Sequence, residues 1–267
     1  MATGYVAGVV RGLFDAVFQP HRFVRSRTDE YAGGWLWTAL ELNRLAVVYV
    51  VNLALYAIPL TLAGIGVQST AASPEWFAAV VGGFSDPETA WQFLSALVQN
   101  SAFLTVAAVL TLVNYHVAVL LTLNSDGILQ TAHTITYSTS AYLAGMFSLV
   151  WYLSQAETTS VAAEFVVALQ AQFVYLLIDL LGSDLALPSG RPDPVNIAAI
   201  SNEGQLVIAG LVVCVLYYLY SMYLGARINH GASRFTGLLV LAAVGAAPAL
   251  YIVGTILAYE LGVPIVG

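Results

Sequence analysis

The chain has 267 residues, 59% of them hydrophobic and only 9% charged, with a formal net charge of −7. A soluble domain keeps about 25% charged residues to stay hydrated, so this composition excludes a water-exposed globule and makes the bilayer the main solvent. All eight basic residues are arginines, and the acids fall outside the apolar runs, a lysine-free acidic surface that fits a high-salt habitat, where carboxylates hold hydration under strong screening.

At the start, Val6, Val9, Val10, Leu13, Phe14, Val17 and Phe18 recur at helical spacing opposite Gly8, Arg11, Gly12 and Asp15. That pattern predicts an interfacial amphipathic helix over residues 5–18. Arg11, Asp15 and Pro20 interrupt any leader core, so no cleaved signal is expected. Pro20 ends the helix, and Arg22, Arg25 and Arg27 follow as candidate contacts for anionic lipid headgroups and as topogenic charges. Residues 1–30 therefore read as a cytoplasmic interfacial segment, 31–258 as one membrane domain and 259–267 as a short external tail.

Glu41 and Arg44 stand one helical turn apart beside Asn43, a local anchor ahead of the first apolar run. About 20 apolar residues cross ~30 Å of hydrocarbon. Five stretches meet that length: Leu45 to Val67, Trp91 to Leu123, Ile135 to Leu153, Leu206 to Leu224 and Phe235 to Tyr259. The fold expected is thus all-α, a polytopic helical membrane protein with five transmembrane helices. Between the first two spans, Gln68 to Ala90 carries Pro74, Trp76 and Phe77 and reads as a short interfacial helix with Trp91 in an aromatic belt. Asn114 and His116 in the second span, Asp126 in the following loop, and His133 with Tyr137 at the start of the third form a candidate polar intramembrane cluster. A histidine, carboxylate and histidine joined by a hairpin suit a proton relay or a metal, although the spacing matches no metal motif and polar glue between helices explains it more simply.

Residues 155–205 form an external insertion. Within it, Phe165, Leu169, Phe173, Leu176 and Leu180 make an apolar stripe over 161–181, while Glu164, Gln170, Gln172 and Asp179 oppose a sixth span. This predicts an external amphipathic helix whose stripe is a candidate partner surface. A loop with Pro188, Gly190, Pro192 and Pro194 follows. Between the fourth and fifth spans, Arg227, His230 and Arg234 are candidate cytoplasmic contacts. With the N-terminus inside, seven of the eight arginines fall on the cytoplasmic face and only Arg191 outside. The expectation is a multi-pass cell-membrane protein with an external C-terminus.

No phosphate-binding loop, metalloprotease helix or nucleophile elbow is present, so neither catalytic residues nor a cofactor or metal is expected. Cys214 is alone, which leaves no intramolecular disulfide. Ala141 with Gly145, and Gly245 with Ala249, give small faces for packing within the bundle or for self-association.

Three stretches carry a family resemblance: Tyr220 to Leu239, YSMYLGARINHGASRFTGLL; Pro20, His21, Arg22 and Phe23; and Asn124 to Tyr142, NSDGILQTAHTITYSTSAY. Together they resemble Yip1-domain membrane proteins, in a haloarchaeal-type form, over residues 20–258. The resemblance implies five spans, a cytosolic N-terminus and a non-catalytic role in membrane organisation or trafficking through protein partners. The chain lacks that family's long cytosolic N-terminal region and its Asp-Leu-Tyr-Gly-Pro motif, which argues against a small GTPase as partner. Expected partners are membrane lipids and another membrane protein or a second copy, not nucleic acid. The competing expectation is a small-solute or ion transporter using Asn114, His116, Asp126 and His133.

Overall fold

The structure, a computed structural model, describes residues 15, 19–25, 34–63, 68–83, 86–155, 159–186, 190, 191, 193 and 200–262. The expected helix over 5–18 and Arg27 lie outside the described residues, apart from Asp15. Every regular element described is helical: α1 (Pro20–Phe23), α2 (Trp35–Ala63), α3 (Glu75–Val81), α4 (Pro87–Leu121), α5 (Ile128–Gln155), α6 (Thr159–Leu181), α7 (Asn202–Asn229), α8 (Arg234–Gly245) and α9 (Ala247–Glu260). Apolar runs of this length become helices because the helix satisfies each backbone N–H and C=O within its own segment, which hydrocarbon cannot do.

Among the described residues, four stretches are long and apolar enough to cross a membrane: Thr38–Leu62, Pro87–Leu121, Asn202–Asn229 and Arg234–Glu260. They overlap most of the first and second expected spans and contain the fourth and fifth. The third, Ile135 to Leu153, lies within α5, which is 28 residues long but differs in character. Its first half buries Thr131, His133, Thr134, Ser138 and Thr139. Packing explains this polarity, because α5 is the central helix, flanked by α2 and α7, and its polar side chains meet protein instead of lipid.

Side-chain register fixes the helix directions. Tyr49 bonds Thr105 and Asn100 bonds Thr61, so α2 and α4 are antiparallel. Thr134 lies against Gly225 and Leu149 against Gly210, so α5 and α7 are antiparallel as well. Glu41 meets His133, and Arg44 meets Tyr137, so α2 and α5 run the same way. One end of the bundle therefore gathers the starts of α2, α5 and α8 with the ends of α4 and α7. Arg22, Arg25, Arg44, Arg227 and Arg234 all belong to this end, whereas Glu75, Asp86, Glu88, Glu203 and Glu260 belong to the other.

The last crossing stretch breaks at Ala246, between α8 and α9. Pro248 has no N–H to offer the carbonyl one turn back and its ring crowds that position, so the helix restarts. The C-terminal half of α6 packs Tyr175 and Ile178 on Ile256 of α9, and the Ser183 hydroxyl donates to the Glu260 carboxylate. The end of α6 thus lies at the acidic end, where α7 begins. Gly145 works inside the bundle: a Cβ there would stand 2.7 Å from the Cys214 sulfur. At Gly245 a Cβ would meet nothing within 4 Å.

Candidate functional site

The arginine-rich end contains two hydrogen-bonded clusters, separated by the face of α5 on which each sits. In the first, His133 Nδ1 lies 3.2 Å from Glu41 Oε1, and Glu41 Oε2 lies 3.5 Å from an Arg44 guanidinium nitrogen. Glu41 is 4% exposed and His133 1%. A carboxylate so withdrawn from water persists only where partners replace its hydration, and here an imidazole and a guanidinium do so. Tyr137, one turn along α5, stacks on the His133 ring at 4.4 Å between centroids. The Arg44 guanidinium covers the Tyr137 ring at 5.3 Å.

The α1 segment closes over this cluster. Phe23 meets Tyr137 edge-on at 5.3 Å, and Val24 is fully buried. Asn229, at the end of α7, uses both amide hydrogens there: one reaches the Val24 carbonyl and the other the Thr134 hydroxyl, each at 2.8 Å. A single side chain thereby ties α1, α5 and α7 together.

The second cluster joins the α4–α5 loop to the α7–α8 connection. The Asp126 backbone N–H donates to His230 Nδ1 at 3.2 Å. Because Nδ1 accepts, the neutral ring must carry its hydrogen on Nε2, which then donates to the Thr131 hydroxyl 3.1 Å away. Thr131 in turn lies 3.0 Å from His116 Nδ1. Burial pushes His230 down to about 4, with His116 adding to the effect and the Asp126 carboxylate opposing it. The ring is therefore neutral at pH 7, as the bonding pattern requires. Tyr115 reinforces this corner by donating to the Met222 carbonyl at 3.2 Å.

The five residues read as one polar cluster divide between the two. His116 and Asp126 belong to the loop cluster, His133 and Tyr137 to the capped pair, and Asn114 is half-buried with a bond to neither. Arg22 and Arg25 are exposed. Arg227 is half-buried beside Gly237, His230 is buried, and Arg234 is exposed at the start of α8 behind the Ser233 cap. On α6, Phe165 is half-buried while Leu169, Phe173, Leu176 and Leu180 are exposed, because Tyr175 and Ile178 on the other face pack against α9.

The reading of Glu41 as a partner of Arg44 alone missed His133, 92 positions away in the chain. The available signal was a carboxylate just inside an apolar run, which needs a second partner from another helix. Thr131, Thr134 and Asn229 were also missed. Their signal was the hydroxyl-rich first half of α5 together with the Asn-His pair where α7 stops. Chemically, these groups hold protons and hydrogen bonds, and among the described residues no three His, Cys, Asp or Glu side chains converge as metal ligands. Compared with known proteins, the chain matches no family model, no curated sequence and no solved structure.

Proposed function

We propose that the chain is a five-span integral membrane protein acting as a non-catalytic scaffold or accessory subunit, Yip1-like in kind. Its arginine-rich end faces the cytoplasm and its acidic end the outside. The fifth crossing is α5, whose polar half is sheltered by α2 and α7 and whose 28 residues exceed the length a bilayer requires. On this reading α6 is an external amphipathic helix. The end of α5, just before α6 begins, and the end of α6 both lie at the acidic end, which supports a helix that stays on one side, and its exposed Leu169, Phe173, Leu176 and Leu180 are the surface offered to a partner or to lipid.

One observation carries the scaffold reading. The polar groups at the arginine-rich end are consumed in bonds that lock the N-terminal segment and two loops to the bundle, through Asn229, Glu41, His133, Thr131 and His230. A transport pathway requires polar groups that exchange partners with a passing solute. A platform requires fixed ones. Arg22 and Arg25 project from that platform toward lipid phosphates. Crosslinking in native membranes followed by mass spectrometry tests the proposal. The expected result is a reproducible membrane-protein neighbour, or a second copy, linked through residues 165–180. A strictly monodisperse, uncrosslinked monomer would overturn it.

A further inference from the structure

Arg44 and Arg191 each have a carboxylate partner, but the bundle leaves Arg227 uncompensated. Among the described residues no carboxylate, carbonyl or hydroxyl bonds its guanidinium, and its Nε–H is sealed from water without an acceptor. A fully exposed arginine hands its charge to water, whereas Arg227 is half-buried and its stem lies in the groove between α7 and α8. Gly237 makes room for it: a Cβ there would stand 2.8 Å from the Tyr223 ring and 3.6 Å from Arg227 Cδ.

The turn between the helices brings a second cation to the same level. Gly231 takes a φ of +58°, and the Ala232 N–H returns to the Ala226 carbonyl at 3.1 Å, so residues 230–233 alone separate α7 from α8. Arg234 then opens α8, one turn before Gly237 on the same side. A helix start disfavours a cation, and this first turn carries no acid to offset it. The surface around the two arginines is apolar: Ile228, Phe235 and Leu238 are exposed, as is Tyr220, two turns before Arg227 on α7. A molecule anionic at one end and apolar along its length matches both features.

We propose that Arg227 and Arg234 hold the phosphate of an anionic phospholipid at the mouth of the α7–α8 groove, its acyl chains lying over Leu238 and Tyr220. A guanidinium offers parallel N–H donors to two phosphate oxygens, and the terminal nitrogens of Arg227 take this role because its Nε–H is sealed inside. Basic pockets between crossing helices suit such headgroups, since the phosphate sits at the depth where the helices leave hydrocarbon. The site goes beyond the scaffold role. It requires α7 and α8 to cross a membrane and is indifferent to which side this end faces.

The test uses the full chain, delipidated in detergent, with phosphatidylglycerol or phosphatidylcholine titrated in and occupancy read by native mass spectrometry. The expected result is a tightest-bound phosphatidylglycerol, preferred over phosphatidylcholine, whose affinity falls about tenfold in Arg227→Gln and severalfold in Arg234→Gln. Arg227→Lys keeps the charge without the paired donors and should recover only part of the loss. Arg191→Gln, at the opposite end, should leave this affinity unchanged. Should Arg227→Gln fail to fold, the exposed Arg234→Gln decides alone. Phosphatidylglycerol binding indifferent to both variants overturns the site and reduces Arg227 to a topological anchor. Equal binding of phosphatidylcholine overturns the anionic preference, and displacement of the lipid by excess inorganic phosphate overturns the lipid as its source. Crosslinked neighbours are read separately, so failure here leaves the scaffold reading standing.

Discussion

Acidification from pH 7 to 4 should weaken the fold through His230, and the sign follows from its bonding. In the unfolded chain a histidine protonates near 6.5. In the folded protein Nδ1 already accepts from the Asp126 N–H, and burial holds the group down to about 4. Between those two values the unfolded chain binds a proton that the folded chain refuses. Stability from this residue is therefore complete above about 6.5, falls as pH drops through the window and levels off below about 4. A separation of about 2.5 pH units, at 1.36 kcal/mol each, sets a ceiling of about 3 kcal/mol. Water near the hairpin loop screens part of that, so about 2 kcal/mol is the working figure. The assay is thermal unfolding in detergent, followed by tryptophan fluorescence at half-unit pH steps, for the natural chain and for His230→Gln. Glutamine offers an amide donor and acceptor but does not titrate, and carboxylates common to both proteins cancel in the difference. The gap between the two proteins should change by about 2 kcal/mol in favour of the variant as pH falls from 6.5 to 4. Parallel curves would refute the assignment of a neutral, bonded His230.

The same geometry gives four further expectations. Gly225→Ala should destabilise by about 1–3 kcal/mol, since its Cβ would fall 2.1 Å from the Thr134 methyl carbon and force α5 away from α7; chemical-unfolding midpoints measure it. Gly254→Ala, where a Cβ meets nothing within 4 Å, should instead stabilise by about 0.5–1 kcal/mol through helix propensity, and loss of stability there would reveal a docked surface. Thr131→Val should cost about 1–3 kcal/mol, because His116 Nδ1 and His230 Nε2 lose a shared partner; thermal unfolding at pH 7.5 reads it. Asn229→Ala strips the Val24 carbonyl of a bond, so protease cleavage near residues 20–25 should accelerate relative to the natural chain.

The helical architecture was legible because hydrocarbon leaves the backbone few alternatives, and runs such as Leu206 to Leu224 contain no charge to dispute it. Helix ends were less legible. The expected first span ran to Val67; α2 is described as far as Ala63, and residues 64–67 lie outside the described set. Pro59 and Pro248 look alike in sequence, yet α2 continues through one and the last stretch divides at the other. The polar sites were the least legible part. Glu41 and Arg44 are three positions apart and declare themselves, but the bond from Glu41 to His133 depends on how α2 lies against α5. The α4–α5 hairpin likewise brings His116 near Asp126, whereas the contacts of His230 with Asp126 and Thr131 depend on where α7 ends.

The segregation of arginines and acids along the bundle has an electrical consequence. In the orientation proposed above, the cationic end sits in the negative compartment of an energised membrane and the anionic end in the positive one. Moving one elementary charge across 100 mV costs about 2.3 kcal/mol. Turning the protein over would carry Arg22, Arg25, Arg227 and Arg234 outward and Asp86, Glu88, Glu203 and Glu260 inward, each against the field. In that orientation the membrane voltage would act as a continuing restoring force on topology.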